Sequence, residues 1–301
     1  EQGHSLRSLQ QKTGVQSIIL LQQLEISLPS PVNRSIPSSD VPTQWTRSTD
    51  DSSICPKFVH GYAYNTGALY KVRLSTGDPS TVICSNLTLN EWSALCEIPR
   101  ERLYFSGGLV QGNPVNEVKC IDMLRDFTCS LQSPMKYARI FHGVLYYSGF
   151  LYVVGGEVNY QTFRRECERL NLDTGSWHEF QSLPIEAAHS SLAILESTNC
   201  LYSFGGKNES GSIDHVQLLG LVDLTWEALH IKLPKFGFAF FKASESEVCL
   251  IFSETLHTFN ALRNELDEVQ GQVVQEPKQE VYNQCYYRDE TLVYANVYGC
   301  V

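Results

Sequence analysis

Ten cysteines, eight histidines and fifteen tyrosines are the residues of this chain best able to do chemistry. Cysteine with histidine could hold zinc, and tyrosine with both could hold copper. Their spacing argues against either. The cysteines stand at 55, 84, 96, 120, 129, 167, 200, 249, 285 and 300, without the Cys-x-x-Cys pair that structural zinc sites generally use. No two histidines are close together, and His60, His142 and His189, each near the start of a strand-like run, read first as hydrogen-bonded structural residues. The carboxylates of "NELDEV" (264–269) read as a solvated turn and strand rather than a general acid and base. No nucleophile, base and orienting group assemble in sequence. The expectation is therefore no catalytic residue, no metal and no cofactor.

A second candidate chemistry is phosphate binding by paired glycines, which occur in "LYFSGG" (103–108), "LYVVGG" (151–156) and "LYSFGG" (201–206). A phosphate cradle needs a helix after the glycines, and "EVNYQTF" after Gly156 begins none. The pairs mark a repeat instead. Gly107, Gly155 and Gly205 fall roughly 50 residues apart. Trp177 and Trp226 follow in phase, with Phe127 in the corresponding place of the earlier copy, and Pro134, Pro184 and Pro234 recur at a spacing of 50. Within one copy, "HGVLYYSG", "FLYVVGG", "ECERLNLDTG" and "SWHEFQSLP" supply four short strands, each bounded by turn residues. The glycines are expected where the chain leaves its second strand against neighbouring backbone, at positive φ, with no room for a Cβ. The tryptophans are expected as wedges in the core.

An apolar strand ending in a double glycine, an aromatic about 20 residues later and a period near 50 resemble the kelch repeat, whose copies are blades of a β-propeller. The resemblance is clear over about 101–234. It is weaker in "VCLIFSE" (248–254), where Ser253 and Glu254 replace the glycines, and in 58–79. It implies an all-β, kelch-type propeller of six four-stranded blades in one domain. Five would span 42–88, 90–133, 137–183, 186–233 and 236–278. The sixth would join residues 1–28 to 281–301, so that N- and C-terminal strands pair and close the ring. "LQQKTGVQSI" resembles the strand, turn and strand of "LNLDTGSWHE"; a helix over 5–23 and a five-bladed ring are the competing expectations. Residues 29–42, rich in Pro and Ser, are expected to be a surface loop.

Composition limits the partners. A net charge of −10 and a pI near 5.3 argue against nucleic acid, which draws its affinity from excess Lys and Arg. No apolar run approaches bilayer length, so membrane insertion is not expected. The cysteines read as free thiols of a reducing, cytoplasmic setting. Sequons at Asn33, Asn86 and Asn208 point the other way, but weakly.

The expected function is non-enzymatic protein–protein interaction, with loops at one propeller face holding a protein or peptide. Counting 16 residues back from each first glycine gives Glu91, Arg139 and His189, with Gly237 in the degraded copy. In proteins similar to the kelch family such loops line one mouth of the channel, and an arginine there grips acidic peptides; Arg139 fits by type, since a guanidinium holds a carboxylate bidentately. Glu91 and the acidic chain argue equally for a basic or mixed ligand. The loops after the glycines differ between copies, as binding loops do, which adds Glu157, Tyr160, Lys207 and Asn208. The resemblance also implies scaffold or ubiquitin-ligase adaptor partners. The alternatives are a propeller enzyme of the galactose-oxidase type and a cytoskeletal or ciliary component.

Overall fold

Short apolar runs punctuated by turn residues fold as antiparallel strands here. The computed structural model describes residues 81–98, 101–159, 161–234, 244–252 and 255–269, together with the strand segments 19–25, 58–63, 68–73, 239–242, 282–288 and 291–297. The described residues form strands and turns, with no helix among them. Four sheets are four-stranded antiparallel meanders in sequence order. The second comprises Ala94–Ile98, Arg102–Ser106, Val118–Asp122 and Thr128–Leu131; the third Gly143–Tyr147, Phe150–Val154, Cys167–Asn171 and Ser176–Phe180. The fourth comprises Ser191–Leu195, Cys200–Phe204, His215–Gly220 and Trp226–Lys232; the fifth Ala239–Lys242, Glu247–Phe252, Thr255–Asn260 and Glu265–Val269. A first sheet is described in three strands, Phe58–Ala63, Ala68–Arg73 and Thr81–Cys84. The chain ends meet: Ile19–Glu25 pairs antiparallel with Thr291–Val297, which pairs with Tyr282–Arg288. The Thr13-Gly14 turn, the 29–42 loop and Gly237 lie outside the described residues.

Among the described residues, apolar clusters straddle consecutive sheets from the first to the fifth. Leu69 meets Leu103, Phe105 and Ile121; Tyr104 and Val118 meet Leu151, Val153 and Leu170; Tyr152 and Val154 meet Leu201, Leu219 and Trp226; Tyr202 and Phe204 meet Val248, Leu250 and Phe259. Burying each such side chain contributes about 1.5–3 kcal/mol, so the sheets are held mainly by one another's faces. Trp226 is buried between the third and fourth sheets, and Trp177 packs between the second and third while its indole N–H donates to the Ser133 carbonyl at 2.8 Å. Both are the expected wedges. Phe127 is not their counterpart: Trp177 and Trp226 face Leu170 and Leu219, whereas the residue facing the matching Ile121 is Cys129. Phe127 sits in the preceding turn at φ 53°. The prolines also slip. The matched buried residues Met135, Leu183 and Leu233 donate their amides to the carbonyls of Asn116, Arg165 and Asp214, so Pro134 precedes that position while Pro184 and Pro234 follow it.

The glycine pairs at 107–108 and 155–156 are each a saddle between two linkers. At Gly155 (φ 61°) a Cβ would lie 2.2 Å from the Ala187 carbonyl oxygen, in the linker to the fourth sheet. At Gly156 (φ 102°) it would lie 2.8 Å from the Ile140 carbonyl, in the linker to its own sheet. The Gly156 amide donates to Ala187 at 2.8 Å, and Gly108 likewise donates to Arg139 at 3.0 Å. A side chain would separate the backbones that these bonds join.

A second clamp holds the linkers from the side. Lys119, Glu168 and Gln217 occupy one position on the third strands of consecutive sheets. Lys119 Nζ donates to the Thr88 carbonyl and Asn90 Oδ1; Glu168 accepts from Lys136 N and Arg139; Gln217 exchanges hydrogen bonds with the Ile185 backbone. Residue type changes from copy to copy while the task is kept.

Substitution separates backbone strain from steric exclusion. Gly149 has φ 83° and open space around its Cβ position, so Gly149→Ala costs only the left-handed strain of about 1–2 kcal/mol. Gly155→Ala adds the carbonyl clash and is expected to cost more than about 4 kcal/mol or to prevent folding, as thermal melting monitored by near-ultraviolet circular dichroism will report.

Candidate functional site

The sheets have two distinct ends. The turns at 148–149 and 172–175 share one end, where Leu172 N donates to the Gly149 carbonyl. The glycine pairs define the other. There each pair runs into a small hairpin: Leu109–Val110 with Asn113–Pro114, Glu157–Asn159 with Thr162–Phe163, and Lys207–Asn208 with Gly211–Ser212. Isolated bridges join Glu91 to Leu109, Ile140 to Glu157 and Ala188 to Lys207. The bridged linker residues thus stand 16, 15 and 17 residues before Gly107, Gly155 and Gly205. Between the first two strands the chain uses 99–101, 148–149 and 196–199. The differing turn lengths account for the drift. A fixed count of 16 therefore misaligns the copies: Glu91, Arg139 and His189 are not equivalent.

Arg139 is matched by Asn90, and its expected role does not hold. The side chain is fully buried. Its Nη1 donates to the carbonyls of Gly155 at 2.6 Å and Glu166 at 2.9 Å, and its Nη2 to Glu168 Oε1 at 2.7 Å. Asn90 Nδ2 does the same for Gly107, at 3.1 Å. Both cap the carbonyl of the first glycine, so Arg139 presents no guanidinium to a partner. Burial pulls its pKa down, and Glu168 opposes that pull.

His189 is matched instead by Trp92 and Phe141, two residues that counting from the glycines misses. All three are bulky residues at positive φ, 57°, 54° and 52°, where an L side chain is strained by of order 1–3 kcal/mol. The same strain at the same place in consecutive sheets serves one arrangement. Phe141 stacks on His189 with centroids 4.2 Å apart, and Trp92 lies 5.1 Å from Phe141. A half-buried aromatic row thus runs across three linkers. Its signal is present in "EWS", "IFH" and "AHS" once the copies are aligned on the linkers. One residue further on, Ser93, His142 and Ser190 carry buried polar atoms without a hydrogen-bond partner among the described residues, although His142 Nε2 contacts Ser106 Oγ at 2.8 Å.

The hairpin candidates divide. Glu157 and Lys207 come together: Glu157 is fully buried, with Oε2 3.5 Å from Lys207 Nζ. Neither Glu157 oxygen has a hydrogen-bond partner among the described residues. Burial raises its pKa, with Lys207 pulling the other way. The Lys207 ammonium, half-buried, lies 6.0 Å from the Phe141 ring and 5.9 Å from that of Phe163. Asn208 shapes the hairpin tip by accepting from Ser210 N at 2.9 Å. Glu91 is exposed at the neighbouring linker. Tyr160 lies outside the described residues.

Among the described residues no three His, Cys, Asp or Glu side chains converge where a metal ion could sit. The described cysteines are free, and burial pushes the thiols of Cys96 and Cys167 up to about 12. No helix among them is long and apolar enough to cross a membrane. Compared with known proteins, the chain matches no family model and no curated protein.

Two measurements follow from this geometry. Arg139→Met leaves the buried Glu168 side chain without its guanidinium partner and is expected to cost about 3–5 kcal/mol; adding Glu168→Gln recovers part of that loss in the same thermal melts. Burial, with Lys207 adding to it, pulls the His189 pKa down to about 3, whereas an unfolded histidine titrates near 6.5. Between those values the unfolded state holds the extra proton, so this group's contribution to stability falls as pH drops through the window. His189→Phe, which places the Phe141 ring type at the matching position, should flatten the decline in melting temperature between pH 7 and 4; an unchanged slope assigns that decline to other groups.

Proposed function

We propose that the chain is a kelch-type β-propeller of six blades and that it works as a protein-interaction module through its glycine-pair face. Support for a ring comes from the order of the contacts. Consecutive sheets share cores, and the first strands of the second, third and fourth sheets pack in succession. Ala239–Lys242 of the fifth sheet packs against Tyr282–Arg288, and the terminal sheet joins both chain ends. A ring leaves no sheet edge open for unintended pairing.

One observation carries the interaction reading: the aromatic row of Trp92, Phe141 and His189, repeated at a strained backbone position and flanked by three hairpins of unrelated sequence. Among the described residues the apolar clusters between sheets do not include these rings. Half-buried aromatics beside variable polar loops are typical of recognition surfaces. The free thiols support a reducing compartment, and a chain of net charge −10 is a poor partner for nucleic acid. Scaffold and ubiquitin-ligase adaptor roles fall within this proposal.

Affinity capture with quantitative mass spectrometry tests it. One bait carries Glu91→Arg with Thr162→Arg, both exposed on the proposed face; the control carries Val222→Arg, exposed at the opposite end. Partners kept by the wild type and the control but lost by the first bait support the proposal. Loss on Val222→Arg alone moves the interface to the other end. No specific partner on any folded bait removes the interaction reading.

A further inference from the structure

Resting on that interaction reading, the site at the third and fourth sheets has a definable ligand chemistry. We propose that the Glu157 carboxylate, beside the Phe141 and His189 rings, receives a guanidinium group, the side chain of an arginine in a partner peptide, with Lys207 as the resident cation that it displaces.

Four features of the site lead there. The first is the state of Glu157. It is a fully buried carboxylate whose oxygens accept no hydrogen bond from described residues, and its charge partner among those residues is an ammonium 3.5 Å away. Glu168, equally buried on the third strand of the adjoining sheet, shows what a completed site looks like: Arg139 Nη2 at 2.7 Å and the Lys136 amide at 2.8 Å. A buried carboxylate left without donors is destabilised by the full cost of its desolvation, so a ligand bringing a planar pair of N–H donors gains what Lys207 leaves unmet.

The second feature is the cover. Lys207 lies over the carboxylate with its side chain 34% exposed while Glu157 is at 0%. Among the described residues it is held by this one ion pair and by distant ring faces. A half-exposed lysine on a flexible stem can swing to solvent as an incoming cation takes over its charge, which opens the carboxylate to the surface.

The third is the aromatic wall. Phe141 and Phe163 already attract a cation, since Lys207 lies within about 6 Å of both, the range of cation–π attraction. His189 is neutral in this setting and does not repel a cation. A guanidinium, more weakly hydrated than an ammonium and able to stack on rings, suits such a wall better than lysine does.

The fourth is charge balance. With Lys207 displaced, the Glu157 carboxylate faces an incoming cation, on a chain of net charge −10. An acidic peptide would instead have to use Lys207, with Glu157 3.5 Å behind it. The two possibilities give opposite responses to removal of Lys207.

The test uses N-acetyl-arginine amide and N-acetyl-glutamate amide as probes, titrated into the full chain while the His189 and Phe141 ring signals are followed by NMR. The arginine probe is expected to shift both rings, to bind at least threefold tighter to Lys207→Met, and to lose its effect on Glu157→Gln. Melting temperature checks that each variant folds, and Lys207→Arg, which supplies a guanidinium in cis, is expected to block the probe and to raise the melting temperature. Shifts caused by the glutamate probe and abolished by Lys207→Met overturn the proposal in favour of an anion site. Shifts with neither probe overturn it as well. The parent reading is tested separately. Captured partners lost on the Glu91→Arg, Thr162→Arg bait but kept on Glu157→Gln leave the interaction face standing and remove the arginine ligand. Partners kept on both remove the face itself.

Discussion

The approach of backbone to backbone at the glycine pairs is the constraint on which the rest of this structure depends. Two linkers, one entering each of two neighbouring sheets, press their carbonyls against a single Gly-Gly step, and an amide of that step bonds one of them. In the second and third sheets this close approach sets the linkers beside the cores. The apolar clusters therefore do not choose the geometry by themselves; they fill a spacing that the saddle sets. Position 119, 168 or 217 then grips the linker from the side, with an amine, a carboxylate or an amide according to what that linker offers.

The same constraint explains the row of rings. A linker pinned at its bridged residue must turn into the first strand within one or two positions, and it does so through a left-handed residue. Trp92, Phe141 and His189 occupy that turn. Glycine would be easier there, so each ring is held at a strained backbone position. Their neighbours are polar and buried, and the contrast between Glu168 and Glu157 is instructive. Both are carboxylates removed from water, one on the third strand of the third sheet and the other on the hairpin that leaves its second strand. One is completed by an arginine and a backbone amide, and the other is left to a single loosely placed lysine. The completed one stabilises the fold, while the uncompleted one lies beside the rings.

Much of the architecture is legible in the residues. Four-strand units, their turns, the wedging role of Trp177 and Trp226, and the positive φ and crowding of the double glycines all follow from local pattern, because each depends on residues near in sequence. The site is only half legible. Glu157 and Lys207 stand out because the hairpins after the glycines vary, and they do meet. Arg139 stands out by type and count, yet its guanidinium is a cap for Gly155. Counting fails because the turn between the first two strands uses 148–149 in one copy and 196–199 in another, which shifts every earlier position relative to the glycines. Phe141 and Trp92 are lost to the same slip.

By itself the sequence determined what is periodic or chemical in residue type: an all-β repeat, the place of its turns, an acidic chain with scattered cysteines and histidines. Tertiary structure alone decided which side chains share a position and which charges are satisfied. Equivalence is defined by cross-strand pairing, which tolerates turns of different length, and burial of a charge depends on which linker crosses above it. Neither quantity is encoded in a fixed spacing. That is why one buried arginine became part of the frame while a buried glutamate, bridged to the residue beside it, has no such partner among the described residues.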